Sequence, residues 1–189
     1  MRIAVIGRGN IGSTLSEKWR VAGHDVVLGV REPGDEGTAS VADAVAGAEV
    51  VLLAVPGGVA KEVVAGLGEA LAGKVVVDAT NDVGGVGKLH ALDGLAAGAH
   101  PVRAFNTLGW ENFAEPVVAG TRADLLYGAE DGHPREVAER LIRDVGLEPV
   151  WLGGPEAFDL VDSVTRLWFT LVFQRGFGRR LAFKVLHES

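Results

Sequence analysis

A chain of 189 residues, 48% apolar and 23% charged, has room for one domain with at most a small appendage. It carries enough apolar surface to fold, so two catalytic domains and intrinsic disorder are both excluded. Acidic groups outnumber basic ones 25 to 18 and there is no Cys, which argues against a nucleic-acid partner and removes any disulfide framework or thiolate metal site.

The opening Met1-Arg2-Ile3-Ala4-Val5-Ile6 reads as a strand entered at once, without the charged region and cleavage site of a signal peptide. Ile3–Ile6, Val26–Val30, Val50–Val55 and Val75–Val77 are short, continuous and Val-rich, the pattern of strands buried on both faces of a parallel sheet. Segments 11–22, 38–47 and 59–72 between them are long enough for crossover helices. Gly23 stands where a left-handed helix cap belongs, and Ser40 with Asp43 has capping-box spacing. The segment from Asn81 to His100 has no period and reads as a functional or mobile loop. Strands are expected at 102–105, 123–127 and 148–152, with a helix at 134–145. This alternation predicts an α/β fold, a doubly wound and mostly parallel sheet over residues 1–154.

After Gly153 and Gly154 the pattern changes. Leu160, Val161, Val164, Leu167, Trp168, Leu171 and Val172 recur at helical spacing, so 155–189 is expected to be a C-terminal helical segment closing the site. Gly176 and Gly178 interrupt it before a last helical turn or two at 179–187. Residues 160–189 hold five basic and two acidic groups on an otherwise acidic chain. No apolar run approaches the ~18 residues of a membrane span, and the expectation is a cytoplasmic protein without a membrane partner.

Gly7-Arg8-Gly9-Asn10-Ile11-Gly12 follows the first strand and opens the first helix, which makes this G-x-G-x-x-G a dinucleotide-binding turn and the fold Rossmann-like. Gly7 permits the tight turn, Gly9 lets backbone approach a pyrophosphate, and Gly12 lets the helix pack close to the strand. Arg31 at the end of the second strand favours NADP, because an Arg there accommodates a 2′-phosphate; Arg8 can close on the same phosphate or on the adenine. Glu32 is the counter-argument, since an acid there faces a free ribose hydroxyl. Ala54-Val55-Pro56, Asp78-Ala79-Thr80-Asn81 and Ala104-Phe105-Asn106-Thr107-Leu108-Gly109 each follow an apolar strand, on the edge where an open α/β sheet binds ligands. Asn81 and Asn106 are candidates there for ribose, nicotinamide or a flat substrate, the alternative being that they cap turns. The five His are scattered, without an i, i+4 ligand pair, so no metal is expected, and neither a G-x-S-x-G elbow nor a Walker loop occurs.

Taken in order, the Asn-Ile-Gly loop, the strand ending Gly-x-Arg, Ala-Val-Pro, Asp-Ala-Thr-Asn, Ala-Phe-Asn-Thr and the stretch Gly178–Lys184 resemble the deazaflavin-coenzyme-dependent NADP oxidoreductase family. The same module is similar to the cytosolic reductase domain of six-transmembrane ferric reductases. The resemblance implies hydride exchange between the nicotinamide of NADP and C5 of a deazaflavin or flavin co-substrate. By position it implies Gly7 to Gly12 on the pyrophosphate, Arg31 on the 2′-phosphate, Val55 and Pro56 beside the ribose and nicotinamide, and Asn106 with Thr107 as the floor of the hydride site. Val30 stands where family members often carry Ser, so one phosphate hydrogen bond is lost. Pyrroline-carboxylate reductases and hydroxy-acid dehydrogenases share the glycine loop but carry a large helical second domain, for which this chain has no length. The alternatives are an NADPH-dependent reductase of a small carbonyl or imine substrate and a dinucleotide-binding redox sensor. Trp168, Phe169, Phe173 and Phe177 mark an expected homodimer interface. Arg166, Arg175, Arg179, Arg180 and Lys184 are the candidates to meet the anionic tail of the acceptor.

Overall fold

The computed structural model describes residues 1–83 and 88–188. Four residues of the expected loop, 84–87, and the last residue of the expected helical segment lie outside them.

The chain builds β1 (Arg2–Ile6), α1 (Asn10–Val21), β2 (Asp25–Val30), β3 (Thr38–Ser40), α2 (Val41–Ala46), β4 (Val50–Leu53), α3 (Gly57–Leu67), β5 (Val75–Asp78) and β6 (His100–Arg103). There follow α4 (Trp110–Ala114), the short strands β7 (Val117–Val118) and β8 (Thr121–Arg122), then β9 (Asp124–Ala129), α5 (His133–Val145), β10 (Glu148–Trp151) and α6 (Phe158–Phe169). One eight-stranded sheet runs in the order β10-β9-β6-β5-β4-β1-β2-β3. All its pairings are parallel except β6 with β9, where Val102 faces Ala129. The doubly wound, Rossmann-like arrangement is therefore present, with the strand order reversing between β1 and β4. That reversal is where such sheets open a ligand crevice.

The central strands are apolar because both faces are covered. β4 and β5 are buried at every residue. On one face Trp19 of α1 packs edge-on against Phe105 and donates its indole N–H to Leu141 O of α5 at 3.1 Å. On the other, Ala44, Val45, Ala60 and Val64 of α2 and α3 cover Ala4, Ile6, Val51 and Leu53. Gly23 takes φ +87° after α1, and the Ser40 hydroxyl accepts the Asp43 amide, so both expected caps are in place.

Several boundaries differ from expectation, each for a local reason. The expected helix at 38–47 begins with β3, too short to carry a strand period. Gly68 at φ +46° ends α3 and turns Gly68–Leu71 into a 3₁₀ helix. β6 stops at Arg103 because Phe105 adopts φ +61° and turns the chain out of the sheet. α4 and the β7–β8 hairpin, turning on Ala119 and Gly120 with positive φ, occupy a stretch that carries no clear pattern. α6 passes into a π-helical turn over Thr170–Gln174. Residues 179–187 are not helical, and Phe183 instead bridges Asp124 at the start of β9. No helix among the described residues is long and apolar enough to cross a membrane.

Candidate active site

The glycine loop is dictated by two close approaches and one opening. A Cβ on Gly7 would lie 2.5 Å from Ala54 O, and one on Gly12 would lie 2.1 Å from Gly7 O. Gly7 also holds φ +106°, a region that side chains avoid. Gly9 is the contrast: its φ of −70° suits any residue, and a Cβ there would meet nothing within 4 Å. Its lack of a side chain leaves space rather than relieving a clash. It is also the N-cap of α1, so no side chain caps the helix and no acid stands in its first turn. The unmatched N–H groups at that end, with the positive end of the helix dipole, form an anion receptor.

A groove of about 1010 Å³ opens at the carboxyl ends of β1, β2 and β4, lined by Gly7, Arg8, Gly9, Arg31, Glu32, Ala54, Val55 and Pro56 among others. Two of its cations differ. Arg31 is exposed and makes no hydrogen bond or ion pair among the described residues. Arg8 is held by Asp35, Nη1 to Oδ2 at 2.8 Å, while its carbonyl accepts the Ser13 hydroxyl at 3.0 Å. A gap at Gly9, unpaired helical N–H groups and a free guanidinium fit the pyrophosphate and 2′-phosphate of NADP.

The remaining expected residues are not among those that line this groove. Asn106 is buried, donates from Nδ2 to Thr165 Oγ1 at 2.8 Å, and accepts Asn81 Nδ2 on its carbonyl at 3.3 Å. Thr107 is buried, with its hydroxyl 3.5 Å from Leu126 O. Asn81 also accepts Arg103 Nη2 on its side-chain oxygen at 3.1 Å. Asn10, Ile11 and Gly12 form the first turn of α1.

Arg103 is what sequence reading missed. Its wholly buried guanidinium donates to Asp78 O, Thr80 O, Asn81 Oδ1 and Asp162 Oδ1 at 3.0, 2.6, 3.1 and 2.9 Å. The two buried carboxylates are further satisfied by backbone, Asp78 by the Thr80 and Ala91 amides at 2.7 Å and Asp162 by the Leu89 amide at 2.8 Å. The network joins the carboxyl ends of β5 and β6 to α6. A signal existed: Asp78 ends an apolar strand, Arg103 is a charge inside the strand expected at 102–105, and Asp162 sits between Val161 and Val164 in the apolar stripe.

Near this network His90, Asp159 and Asp162 bring ligand-type atoms within 4.8 Å of one another. Leu92 N–H donates to His90 Nδ1 at 3.2 Å, so the neutral ring carries its proton on Nε2. A ring ligating a metal through Nε2 keeps that proton on Nδ1 instead, so this donor set does not suit a cation. Burial holds the His90 imidazole below its ordinary pKa.

Three of the five candidate cations near the C-terminus are tied to their own chain. Arg179 pairs with Glu111, Arg180 donates to the carbonyls of Glu111, Glu115 and Val117 at 2.8, 2.7 and 2.9 Å, and Lys184 reaches Asp124 at 2.6 Å. Their role here is to pin 179–185 against α4 and β9. Trp168 is buried and its indole donates to Leu181 O at 2.9 Å, whereas Leu167, Phe173 and Phe177 are exposed.

Residues 2–82 match the family described as NADP oxidoreductase, coenzyme F420-dependent. A comparison with curated proteins returned no match. Among solved structures, a protein of Arthrobacter sp. FB24, provisionally described as an F420-dependent NADP reductase, is similar at 23% identity and TM-score 0.82 over 99% of this chain and 100% of that one. A hypothetical protein of Sinorhizobium meliloti is 24% identical with TM-score 0.69, covering 100% of this chain and 96% of its own. The NADP-bound pyrroline carboxylate reductase of Plasmodium falciparum reaches TM-score 0.64 at 10% identity, over 93% of this chain and 66% of that one. These three likenesses show the fold.

Proposed function

We propose that the chain, whose residues 2–82 match the coenzyme F420-dependent NADP oxidoreductase family, is an NADP-dependent oxidoreductase that passes hydride between the nicotinamide of NADP and a deazaflavin ring, or secondarily a flavin ring. The observation that carries the reading is the groove at the sheet's reversal point, open at Gly9 and bearing a free Arg31, in a chain with this family match. The Arthrobacter protein's description, for a molecule covered along its whole length, supports the deazaflavin over a small substrate. The pyrroline carboxylate reductase has about a third of its chain without counterpart here.

The geometry supports a part for each residue. The N-terminus of α1 and the Gly7–Gly9 backbone hold the pyrophosphate, and Arg31 holds the 2′-phosphate. Ala54, Val55 and Pro56 form the wall that leads from β4 toward the nicotinamide end. Bound NADPH supplies the hydride itself, and transfer between two stacked rings needs distance and orientation more than a strong acid or base. The hydrogen-bonded Asn106, Asn81 and Arg103 at the carboxyl ends of β5 and β6 are the candidates to support the nicotinamide end. A cytoplasmic homodimer associating through Leu167, Phe173 and Phe177 belongs to the same proposal, and a monomeric mass in light scattering would remove the dimer from it.

The test is loss of NADPH absorbance across a panel of deazaflavin, flavin, quinone, imine and small carbonyl acceptors. Oxidation with deazaflavin or flavin is expected. Turnover of imines or carbonyls alone would replace the reading with a small-substrate reductase, and tight NADPH binding without any turnover would replace it with a sensor.

A further inference from the structure

The ion pair between Arg8 and Asp35 has no structural duty that explains it. Both side chains are exposed, and exposed pairs of this kind contribute little to folding. The turn that carries Asp35 is held by its backbone instead: Asp35 O accepts both the Thr38 amide, at 3.1 Å, and the Thr38 hydroxyl, at 2.5 Å. The carboxylate is thus free of structural work and spends itself on Arg8, which lines the groove beside Arg31.

Resting on the NADP reading above, we propose that Asp35 is a specificity-determining residue. It competes with the 2′-phosphate for the Arg8 guanidinium and thereby sets how strongly the protein prefers NADPH over NADH. The charge pattern supports this. At this end of the groove Arg8 and Arg31 stand against Glu32 and Asp35, so the free site is near neutrality and Arg31 alone is uncommitted. A 2′-phosphate brings close to two negative charges and needs more than one cation, and a guanidinium with five donors can turn from a carboxylate to a phosphate. A ribose with a free hydroxyl offers nothing for which Arg8 would leave Asp35. The pair therefore weakens NADPH and leaves NADH untouched.

The experiment is nucleotide binding to the full chain, measured by NADPH and NADH fluorescence for wild type, Asp35→Asn, Arg8→Gln and the double variant, at two salt concentrations. Asn keeps the backbone acceptor that holds the turn, and thermal unfolding of each variant checks the fold. Asp35→Asn is expected to tighten NADPH about three- to ten-fold and to move NADH less than about two-fold. The gain should vanish in the Arg8→Gln background and shrink as salt screens the exposed charges, within about 8 Å at physiological ionic strength. Unchanged or weaker NADPH binding by Asp35→Asn would overturn the inference while leaving the nucleotide site standing, as would an equal gain for NADH or one that survives Arg8→Gln. A wild-type protein that binds neither nucleotide would overturn the function reading and this inference together.

Discussion

Replacing Gly9 by Val separates binding from folding, because the structure gives that residue space and no duty in packing. A Cβ at Gly9 meets nothing within 4 Å, and φ −70° with ψ −176° is an extended conformation that a branched residue adopts readily. As an N-cap, Val is worse than Gly by about 0.5 kcal/mol, but the unfolded chain loses freedom, which returns about 0.4–1 kcal/mol. The net change is within about 0.5 kcal/mol, or about 1–2 °C in Tm for a chain of this size. In the complex, the same methyl groups occupy the pyrophosphate position. Losing two charge-assisted contacts from the helix N-terminus, at about 1.5–3 kcal/mol each, lowers affinity for NADPH and NADH alike by at least about 100-fold. Isothermal titration with both nucleotides, beside thermal unfolding of the same samples, reads both numbers. Gly12→Ala is the control with the opposite signature: its Cβ would sit 2.1 Å from Gly7 O, and it should lose about 1–3 kcal/mol of stability. A Gly9→Val protein that keeps its melting temperature and binds NADPH like wild type would refute the assignment of the loop to the pyrophosphate.

Three further outcomes are expected. Arg31→Ala should weaken NADPH about ten-fold, the low end for a charge-assisted contact because the side chain is exposed and screened, and should leave NADH unchanged; equal weakening of both in a titration would remove Arg31 from the 2′-phosphate. Arg103→Leu strands the buried carboxylates of Asp78 and Asp162 and should cost about 3–5 kcal/mol in urea unfolding, a loss under about 1 kcal/mol being incompatible with the network described. His90 titrates below its ordinary value of 6.5 because of burial, so the unfolded chain takes up a proton that the folded one refuses, and the stability present above that pH declines as pH falls through this window. Urea midpoints from pH 7.5 to pH 5 should therefore fall more steeply for wild type than for His90→Gln, and parallel curves would contradict a buried neutral imidazole.

How much of this was legible in the sequence depended on whether the signal was local. β1, the glycine loop and α1 could be read because an apolar run, a G-x-G-x-x-G and a helical period meet within about twenty residues. β3 could not, since Thr38–Ser40 is too short to show a period. The end of β6 was misplaced because Phe105 takes a left-handed φ, a conformation that a Phe does not announce. The Arg103 network was hidden for another reason. The partners of Arg103 come from β5, the loop after it and α6, and only the fold shows that Asp162, within an apolar stripe, meets a buried guanidinium. The last stretch shows its charges in sequence but not their pairing. Of Arg166, Arg175, Arg179, Arg180 and Lys184, the candidates for an anionic acceptor, the last three also meet Glu111, Asp124 and the backbone carbonyls of 111–117. A count of charges along a chain does not reveal such pairing.

The central claim, that the groove delivers a nicotinamide hydride to a flat acceptor ring, is tested most directly by isotope tracing. NADPH carrying deuterium at nicotinamide C4 is incubated with the protein and a deazaflavin or flavin, and the reduced acceptor is analysed by mass spectrometry. Deuterium should appear in the acceptor, matched by NADP formed, and both should disappear with Gly9→Val. Tight binding of the labelled NADPH with no deuterium transferred to any deazaflavin or flavin would contradict the account.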